Sequence, residues 1–134
     1  MNRRRLAILL LLCPAVPCTL AGQTPADLVQ AMRARDQAVD KADVAAWERL
    51  TAPEFTLVTE TGQLLTRADR VAELKKATPA ASPSICDQEQ ITMFARGSAA
   101  TRRCLDGGIW WIAVWAKSDS GWRVVAVQGT SAPK

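Results

Sequence analysis

The sequence of 134 residues contains no histidine and no tyrosine. Histidine has the ordinary pKa closest to neutral pH and tyrosine is the usual phenolic acid, so the commonest general acids and bases are absent. Without histidine, a metal site would need carboxylates together with Cys86 and Cys104, whose spacing fits no familiar ligand pattern. We therefore expect no metal site and no cofactor, and chemistry that depends on histidine is excluded.

The sequence also lacks a hydrophobic run of the ~18 residues that a membrane-spanning helix needs. Its start instead has arginines at positions 3–5, an apolar run over 6–12 and small residues up to Ala21. This pattern is typical of a secretory signal peptide, residues 1–21, and predicts a periplasmic or secreted protein with no stable membrane anchor. Lipidation at Cys13 or Cys18 is disfavoured, because neither follows a small residue.

Without this leader, the chain has nearly equal numbers of basic and acidic side chains, so neither sign of charge is in excess. Three arginines leave with it, which takes the 17 Lys and Arg residues to 14, against 13 Asp and Glu. No basic run with interleaved aromatic residues remains, so nucleic acid is a poor candidate partner. Residues 22–134 suffice for one compact domain and are too few for two, so we expect a single domain there.

What the chain does have is a long apolar stretch near its end, IWWIAVWAKSDSGWRVVAVQGT, at residues 109–130. Branched and aromatic residues on both sides of a Ser-Asp-Ser-Gly turn predict a hairpin of two long strands. The register that places Lys117 opposite Trp122 also places Trp111 opposite Gln128. Both faces of this hairpin are apolar, so each must be covered by something.

The upstream segments supply helices and shorter strands. Residues 24–27 and 66–69 each have a hydroxyl cap followed by an acid, and Asp43 precedes a shorter apolar pattern, so three helices are predicted. The predicted order is helix, helix, short hairpin, helix and four antiparallel strands. Besides the final hairpin, the predicted strands cover residues 55–60, 63–65, 90–96 and 99–105.

Cys86 and Cys104 are the cysteines left after the leader, and two interpretations stay open. In an exported protein they are candidates for a disulfide between a loop and the following strand. A tight turn at residues 97–98, however, would set Cys104 opposite Ile91, with Cys86 about five residues further along and too far away unless the chain bends back. The alternative is two buried free thiols.

This arrangement resembles the nuclear transport factor 2-like superfamily, and within it domain of unknown function 4440, a branch similar to SnoaL-like cyclases and kinase association domains. The resemblance spans nearly all of residues 22–134 and rests on ADVAAWERLTAPEFTLVTETGQLLTRADRVAEL, FARGSAATRRCL and VWAKSDSGWRVVAVQGT. It implies an α+β fold in which a cone-shaped, curved antiparallel sheet is closed by three N-terminal helices. The resemblance does not imply one activity, because proteins of this superfamily include isomerases, dehydratases, hydrolases and proteins that catalyse no reaction.

Similarity to ketosteroid isomerase-like members implies three catalytic positions, and none holds the required group. The general base falls at Thr59, the phenol donor at Arg35 and the protonated acid near Ala113. Glu60 lies beside the base position, but strand alternation predicts that it faces away from the cavity as a solvated turn residue. These substitutions favour a protein without catalysis.

The same alignment implies which side chains face the interior of the cone. If the face with Ala113 points inward, an apolar pocket with polar handles would suit an apolar or anionic small molecule, with Arg35 as counter-charge. The alternative is that Trp111 and Trp115 simply fill the cone as core. The pocket candidates are Arg35, Trp47, Phe55, Leu57, Thr59, Trp111, Trp115 and Gln128.

The other face of the hairpin has no predicted helix left to cover it. A two-fold axis would let this apolar patch bury itself against its own copy, which predicts a homodimer. The candidates for this face are Trp110, Ile112, Val114, Val125 and Val127.

Two functions remain from the sequence. The first is an exported domain for small-molecule binding or association, without catalysis. The second is a SnoaL-like or ketosteroid isomerase-like enzyme acting on an apolar carbonyl compound, with Arg35, Thr59 and Gln128 positioning the substrate. The missing histidine, tyrosine and cavity carboxylate favour the first.

Overall fold

The computed structural model describes residues 23–133, and the predicted leader, residues 1–21, lies outside them. The described residues form an α+β fold of helices packed on one sheet. The elements in chain order are α1 (Ala26–Asp40), α2 (Val44–Arg49), β1 (Thr51–Val58), β2 (Leu64–Thr66), α3 (Arg67–Leu74), β3 (Glu89–Phe94), β4 (Ala99–Asp106), β5 (Ile109–Ser118) and β6 (Gly121–Ser131).

Side-chain caps fix where α2 and α3 begin. The Asp43 carboxylate accepts a hydrogen bond from the backbone N–H of Ala46 at 2.9 Å, and Thr66 and Asp69 cap each other's backbone reciprocally. Because Thr66 is also the last residue of β2, α3 leaves the sheet edge without a linker. The two short helices are thereby held at fixed places against the sheet.

The sheet has six strands in the order β2-β1-β6-β5-β4-β3. Every neighbouring pair is antiparallel except β1 and β6, which run parallel. The pairing of β1 with β6 is irregular between Thr51 and Thr56, around Pro53, which has no N–H to donate to a ladder. The predicted α+β class and the curved sheet are confirmed, and the parallel pair is an addition to the predicted antiparallel arrangement.

The register predicted for the final hairpin holds only near the turn. Trp115 lies opposite Val124, but the next pair is Val114 with Ala126, so β6 contains one extra residue, Val125. Beyond such a bulge, each residue of β6 faces the side of the sheet opposite to the one that the predicted register gives it. The prediction that Trp111 lies opposite Gln128 is therefore wrong.

The hairpin of β3 and β4 also differs from the predicted tight turn. A short 3₁₀ segment at Ala95–Gly97 connects the strands, so Cys104 lies opposite Glu89 and not Ile91. Cys86 is then three residues from the paired position, and not about five. This shorter offset brings the two cysteines within reach of each other.

The helices and one face of the sheet, here called the inner face, enclose the core. Leu28 and Trp47 from the helices and Trp115 and Val124 from the sheet are at most 1% exposed. The opposite, outer face carries no helix within residues 23–133. In this part of the chain, no helix is long and apolar enough to cross a bilayer.

Candidate functional site

A cavity of about 420 Å³ lies between the inner face of the sheet and the three helices. This volume is within the range of small-molecule sites, and much of the wall is apolar. The cone is thus open in part, and aromatic side chains do not fill it completely. The apolar lining residues are Val39, Trp47, Phe55, Leu57, Leu65, Ile85, Trp111, Ala113 and Val127.

Arg35 extends from α1 into this cavity and contacts two aromatic rings. Its guanidinium carbon lies 5.4 Å from the centre of the Trp47 ring and 5.6 Å from that of Phe55, and these rings meet edge to face at 5.3 Å. Within residues 23–133 no carboxylate lies within 4.0 Å of the guanidinium nitrogens, and Nε is buried with no hydrogen-bond partner. Aromatic faces attract a cation but replace an anionic partner only in part.

The charge of Arg35 persists at neutral pH. Burial lowers the pKa of Arg35 to about 10, with Arg70 and Arg102 acting in the same direction and Asp36 opposing them. Since this value is still well above neutral, the guanidinium stays protonated. The cavity therefore contains a fixed positive charge without a direct counter-ion among the described residues.

Arg102 in β4 is the opposite case, because its guanidinium is paired with two carboxylates. Its Nη1 donates to both carboxylate oxygens of Asp36 at 2.8 and 2.7 Å, and its Nε donates to Glu89 at 2.6 Å. Burial raises the pKa of the Asp36 carboxyl, while the attraction of Arg102 works against that rise. This cluster ties α1 to the sheet beside the cavity and leaves no free charge on Arg102.

The turn between β1 and β2 forms part of the mouth of the cavity. The Thr59 hydroxyl accepts a hydrogen bond from the Gln63 backbone N–H at 3.1 Å and lies 2.9 Å from the Thr61 hydroxyl, so it is used within the turn. Glu60 lines the cavity and is exposed. The prediction that Glu60 faces away is wrong, because β1 ends at Val58 and strand alternation does not extend past it.

The other cavity carboxylates come from α1, α3 and the end of β4. Asp36 is paired with Arg102, Glu73 forms an ion pair with Arg70, and Asp106 lies at the rim. In the part of the chain that the structure describes, no three His, Cys, Asp or Glu side chains are grouped so as to hold a metal ion. Among the described residues, Asp36, Arg102, Glu73 and Arg70 are thus held in ion pairs, whereas Arg35, Glu60 and Asp106 line the cavity without an ion-pair partner.

Cys86 and Cys104 form a disulfide at the rim of the cavity, with 5.4 Å between their Cα atoms. That separation is normal for a disulfide. The bond joins the loop before β3 to β4, which is the first of the two interpretations left open by the sequence.

Six of the eight predicted pocket residues line the cavity. Trp115 does not, because it is 1% exposed and packed in the core between the cavity and the hairpin turn. Gln128 does not either, because the bulge at Val125 turns it to the outer face, where it is exposed. The six that line it are Arg35, Trp47, Phe55, Leu57, Thr59 and Trp111.

Sequence analysis missed several lining residues, among them Asp36, Arg70, Arg102 and Val127. A signal existed for Arg102, since the period of two along a strand places it on the same face as Cys104. For Asp36 there was none, because helical spacing alone does not show which neighbour of Arg35 reaches the cavity.

The outer face is apolar and partly exposed. Ile112 and Val114 are 43% and 37% exposed, and the Arg103 guanidinium lies 5.1 Å from the centre of the half-buried Trp110 ring. Val127, predicted for this face, lines the cavity on the inner side instead. Ala126 and Gln128 lie on the outer face instead, because Val125 is the extra, unpaired residue of β6 and shifts the alternation after it by one.

Comparisons with solved structures place this fold among nuclear transport factor 2-like proteins. The NTF2-like protein from Cytophaga hutchinsonii has a TM-score of 0.69 at 16% identity, covering 78% of this chain and 94% of that one. The CaMKII hub of S. rosetta has a TM-score of 0.69 at 18% identity, covering 83% and 98%. A candidate Ca/calmodulin-dependent kinase II association domain from Exiguobacterium sibiricum has a TM-score of 0.67 at 14% identity, covering 84% and 99%.

At these identities the likeness establishes the fold and not an activity. No protein-family model matches the chain, and no curated protein matches its sequence. The narrower resemblance to domain of unknown function 4440 stays a prediction.

Proposed function

We propose that this chain, which has the nuclear transport factor 2-like fold, is an exported association domain without catalysis that binds a small apolar anion in its cavity. The observation that carries the proposal is Arg35, a half-buried cation whose Nε is buried without a hydrogen-bond partner and which has no ion pair among the described residues, in a cavity whose wall is partly apolar. A buried charge is costly unless it is paired, so a ligand that supplies the missing anion gains a strong interaction.

The shape of the wall supports an apolar body attached to that anion. Trp111, Leu57 and Val127 line the cavity along the sheet, while Arg35 lies against Trp47 and Phe55. A carboxylic acid with an aromatic or aliphatic portion of moderate size would bury its apolar part on the sheet side and place its carboxylate at the guanidinium. Removing either part of the ligand loses the contribution to affinity that this part makes.

Several observations argue against catalysis. The Thr59 hydroxyl is used in the β1–β2 turn, and Asp36 and Glu73 are held in ion pairs with arginines. A general base must be free to reach a substrate proton, and a tuned oxyanion donor must point at the developing charge. Thr59, Asp36 and Glu73 are therefore not free to take a proton from a substrate, and Glu60, which lines the mouth of the cavity, is exposed to solvent.

Export and self-association complete the proposal. The pattern over residues 1–21 supports export, and the apolar outer face supports pairing with a second copy of this chain. Two of the structural neighbours are an association domain and a hub, which gives precedent for assembly on this fold.

A thermal-shift screen tests the ligand. The panel would pair aromatic and aliphatic carboxylic acids with the neutral amide of each, so that only the charge differs. A ligand at one hundred times its Kd adds about 2.7 kcal/mol to the free energy of unfolding, a Tm rise of order 10 °C for a domain of this size. The acids should raise Tm and the amides should not.

Two variants locate the binding site. Trp111→Ala should abolish the shift by removing the apolar wall, while Val114→Ala on the outer face should leave it unchanged. Equal shifts for acids and amides would reject the role of Arg35, and no shift with any compound would reject small-molecule binding altogether.

A further inference from the structure

The segment of residues 80–87 crosses the mouth of the cavity. It belongs to the connection between α3 and β3 and forms neither helix nor strand. Three of its residues, Ser84, Ile85 and Cys86, line the cavity, although Ile85 is 67% exposed. Ile85 therefore lies at the opening of the cavity, between its interior and the solvent.

One end of this segment is held by the last residue of α1. Asp40 accepts hydrogen bonds from both the backbone N–H and the hydroxyl of Ser84, the first at 3.0 Å, and its carbonyl accepts one from the Ala80 N–H at 2.6 Å. These bonds lie at the surface, where water competes for the same groups.

The other end is held by β4 through one covalent bond and one backbone contact. The disulfide joins Cys86 to Cys104, and the Asp87 N–H donates to the Leu105 carbonyl at 2.9 Å. Cys104 is on the inner face of the sheet and lines the cavity. The disulfide therefore fastens the segment directly at the rim of the site.

We propose that residues 80–87 form a lid over the cavity and that the Cys86–Cys104 disulfide holds it closed, so that thiol exchange controls how fast a ligand enters and leaves. This rests on the proposed function, because the lid regulates the same cavity. A dithiol reductant would supply two electrons and two protons: the S–S bond breaks, two thiols form, and the reductant becomes its own disulfide. The segment would then be held only by surface hydrogen bonds and would open locally.

The first test needs no ligand. Amide hydrogen exchange of residues 80–88 is measured in the full-length chain, oxidised and after reduction with a dithiol. Exchange should become about tenfold faster in this segment on reduction, with β5 and β6 unchanged. Cys86→Ser/Cys104→Ser should exchange fast in both conditions, and Val114→Ala on the outer face, which keeps the disulfide, should respond like the wild type.

The second test follows entry into the cavity with 8-anilinonaphthalene-1-sulfonate, an apolar aromatic monoanion. Its stopped-flow dissociation rate should rise about tenfold on reduction, with a smaller change in Kd, because a lid changes access more than contacts. If the double serine variant fails to fold, the reduced wild type carries the comparison alone.

The outcomes separate the lid from the proposed function. Faster exchange in residues 80–88 without any probe binding would support the lid and reject the proposed ligand. Equal exchange in both redox states would overturn the lid, and so would a uniform rise across the whole domain, because the disulfide would then stabilise the fold in general.

Discussion

The indole of Trp111 lies directly over Gly129, the residue opposite it on β6. A Cβ placed on Gly129 would be 2.6 Å from Cζ3 of the ring, closer than real Cβ contacts allow. The missing side chain thus makes room for the ring against the sheet and leaves the cavity open. The bulge at Val125 is what brings Gly129, and not Gln128, to this place.

Gly129→Ala should reduce the cavity. The end of the indole is the part that must move, and the cavity is the open space beside it, so we expect weaker binding of bulky anions and little change for small ones. The displaced ring should cost about 1–3 kcal/mol of unfolding free energy. Urea unfolding and titration with a graded series of carboxylic acids measure both effects.

A double variant gives the control. In Trp111→Phe the ring is smaller, so Gly129→Ala should cost less unfolding free energy there than in the wild type, and the double variant should be less destabilised than the sum of the two single variants. Thr130→Ala, on an exposed neighbour, should change neither quantity. Equal costs in both backgrounds would mean that the ring does not depend on Gly129.

The contact between Trp111 and Gly129 separates the part of the hairpin that the sequence predicts from the part that it does not. The turn at Gly121 and the pairing of Lys117 with Trp122 follow from turn chemistry and alternation, and the structure has both. The bulge leaves no signal in the sequence, because Val125 is an ordinary strand residue, unlike a glycine that marks a left-handed position. One extra residue then moved Gln128 and Val127 to the faces opposite to those predicted.

Arg35→Met should separate binding from stability. Arg35 has no ion pair among the described residues, so removing its charge should change the unfolding free energy by less than about 1 kcal/mol, or raise it. Binding of an anion should weaken by about ten- to a hundredfold, because a hydrogen bond to a charged group is worth roughly 1.5–3 kcal/mol. Calorimetric titration and chemical unfolding of the same samples test this.

Arg70→Met is the matched control, because its guanidinium is already paired with Glu73 at the cavity wall. It should change the affinity for the anion by less than about threefold. A loss as large as that of Arg35→Met would show that the positive charge acts at long range and that no single arginine holds the anion.

Sequence analysis placed Arg35 among the pocket candidates, and it lines the cavity. The sequence could not show that Arg102 would be neutralised by Asp36 and Glu89 while Arg35 would not. Asp36 and Arg102 are 66 residues apart in the chain, and only the packing of α1 on β4 brings them together. Which arginine is free is a property of the tertiary structure.

Asp36→Asn should alter how stability depends on pH. Burial keeps the pKa of the Asp36 carboxyl above its ordinary 3.8, so in the interval between the two values the folded protein retains a proton that the unfolded chain has lost. The contribution of this group to stability therefore falls as the pH rises through that interval. The asparagine variant lacks this dependence.

The measurement is the difference in unfolding free energy between wild type and Asp36→Asn, taken at a series of pH values upward from the ordinary carboxyl pKa of 3.8. The unfolding free energy of the wild type, relative to that of Asp36→Asn, should decrease as the pH increases. Glu54→Gln, on an exposed residue of β1, serves as the control for generic charge effects. A difference that moves in favour of the wild type would mean that Arg102 outweighs burial at this carboxyl.

Ile112→Lys should convert the proposed dimer into a monomer. Ile112 and Val114 project from the centre of the outer face and are 43% and 37% exposed, so in a two-fold pair each copy would bring a charge close to its own equivalent. A buried unpaired lysine is costly, while the same lysine in a monomer is solvated and harmless. The domain itself should therefore keep its far-UV circular dichroism and its anion affinity.

Analytical ultracentrifugation over a range of concentrations measures the change, with Ala68→Lys on the exposed side of α3 as the control. Ala68→Lys should sediment as the wild type does. A wild type that is monomeric throughout would reject the two-fold pairing, and the exposed Ile112 and Val114 would then need a different partner. A dimer that survives Ile112→Lys would locate the interface on another face of the cone.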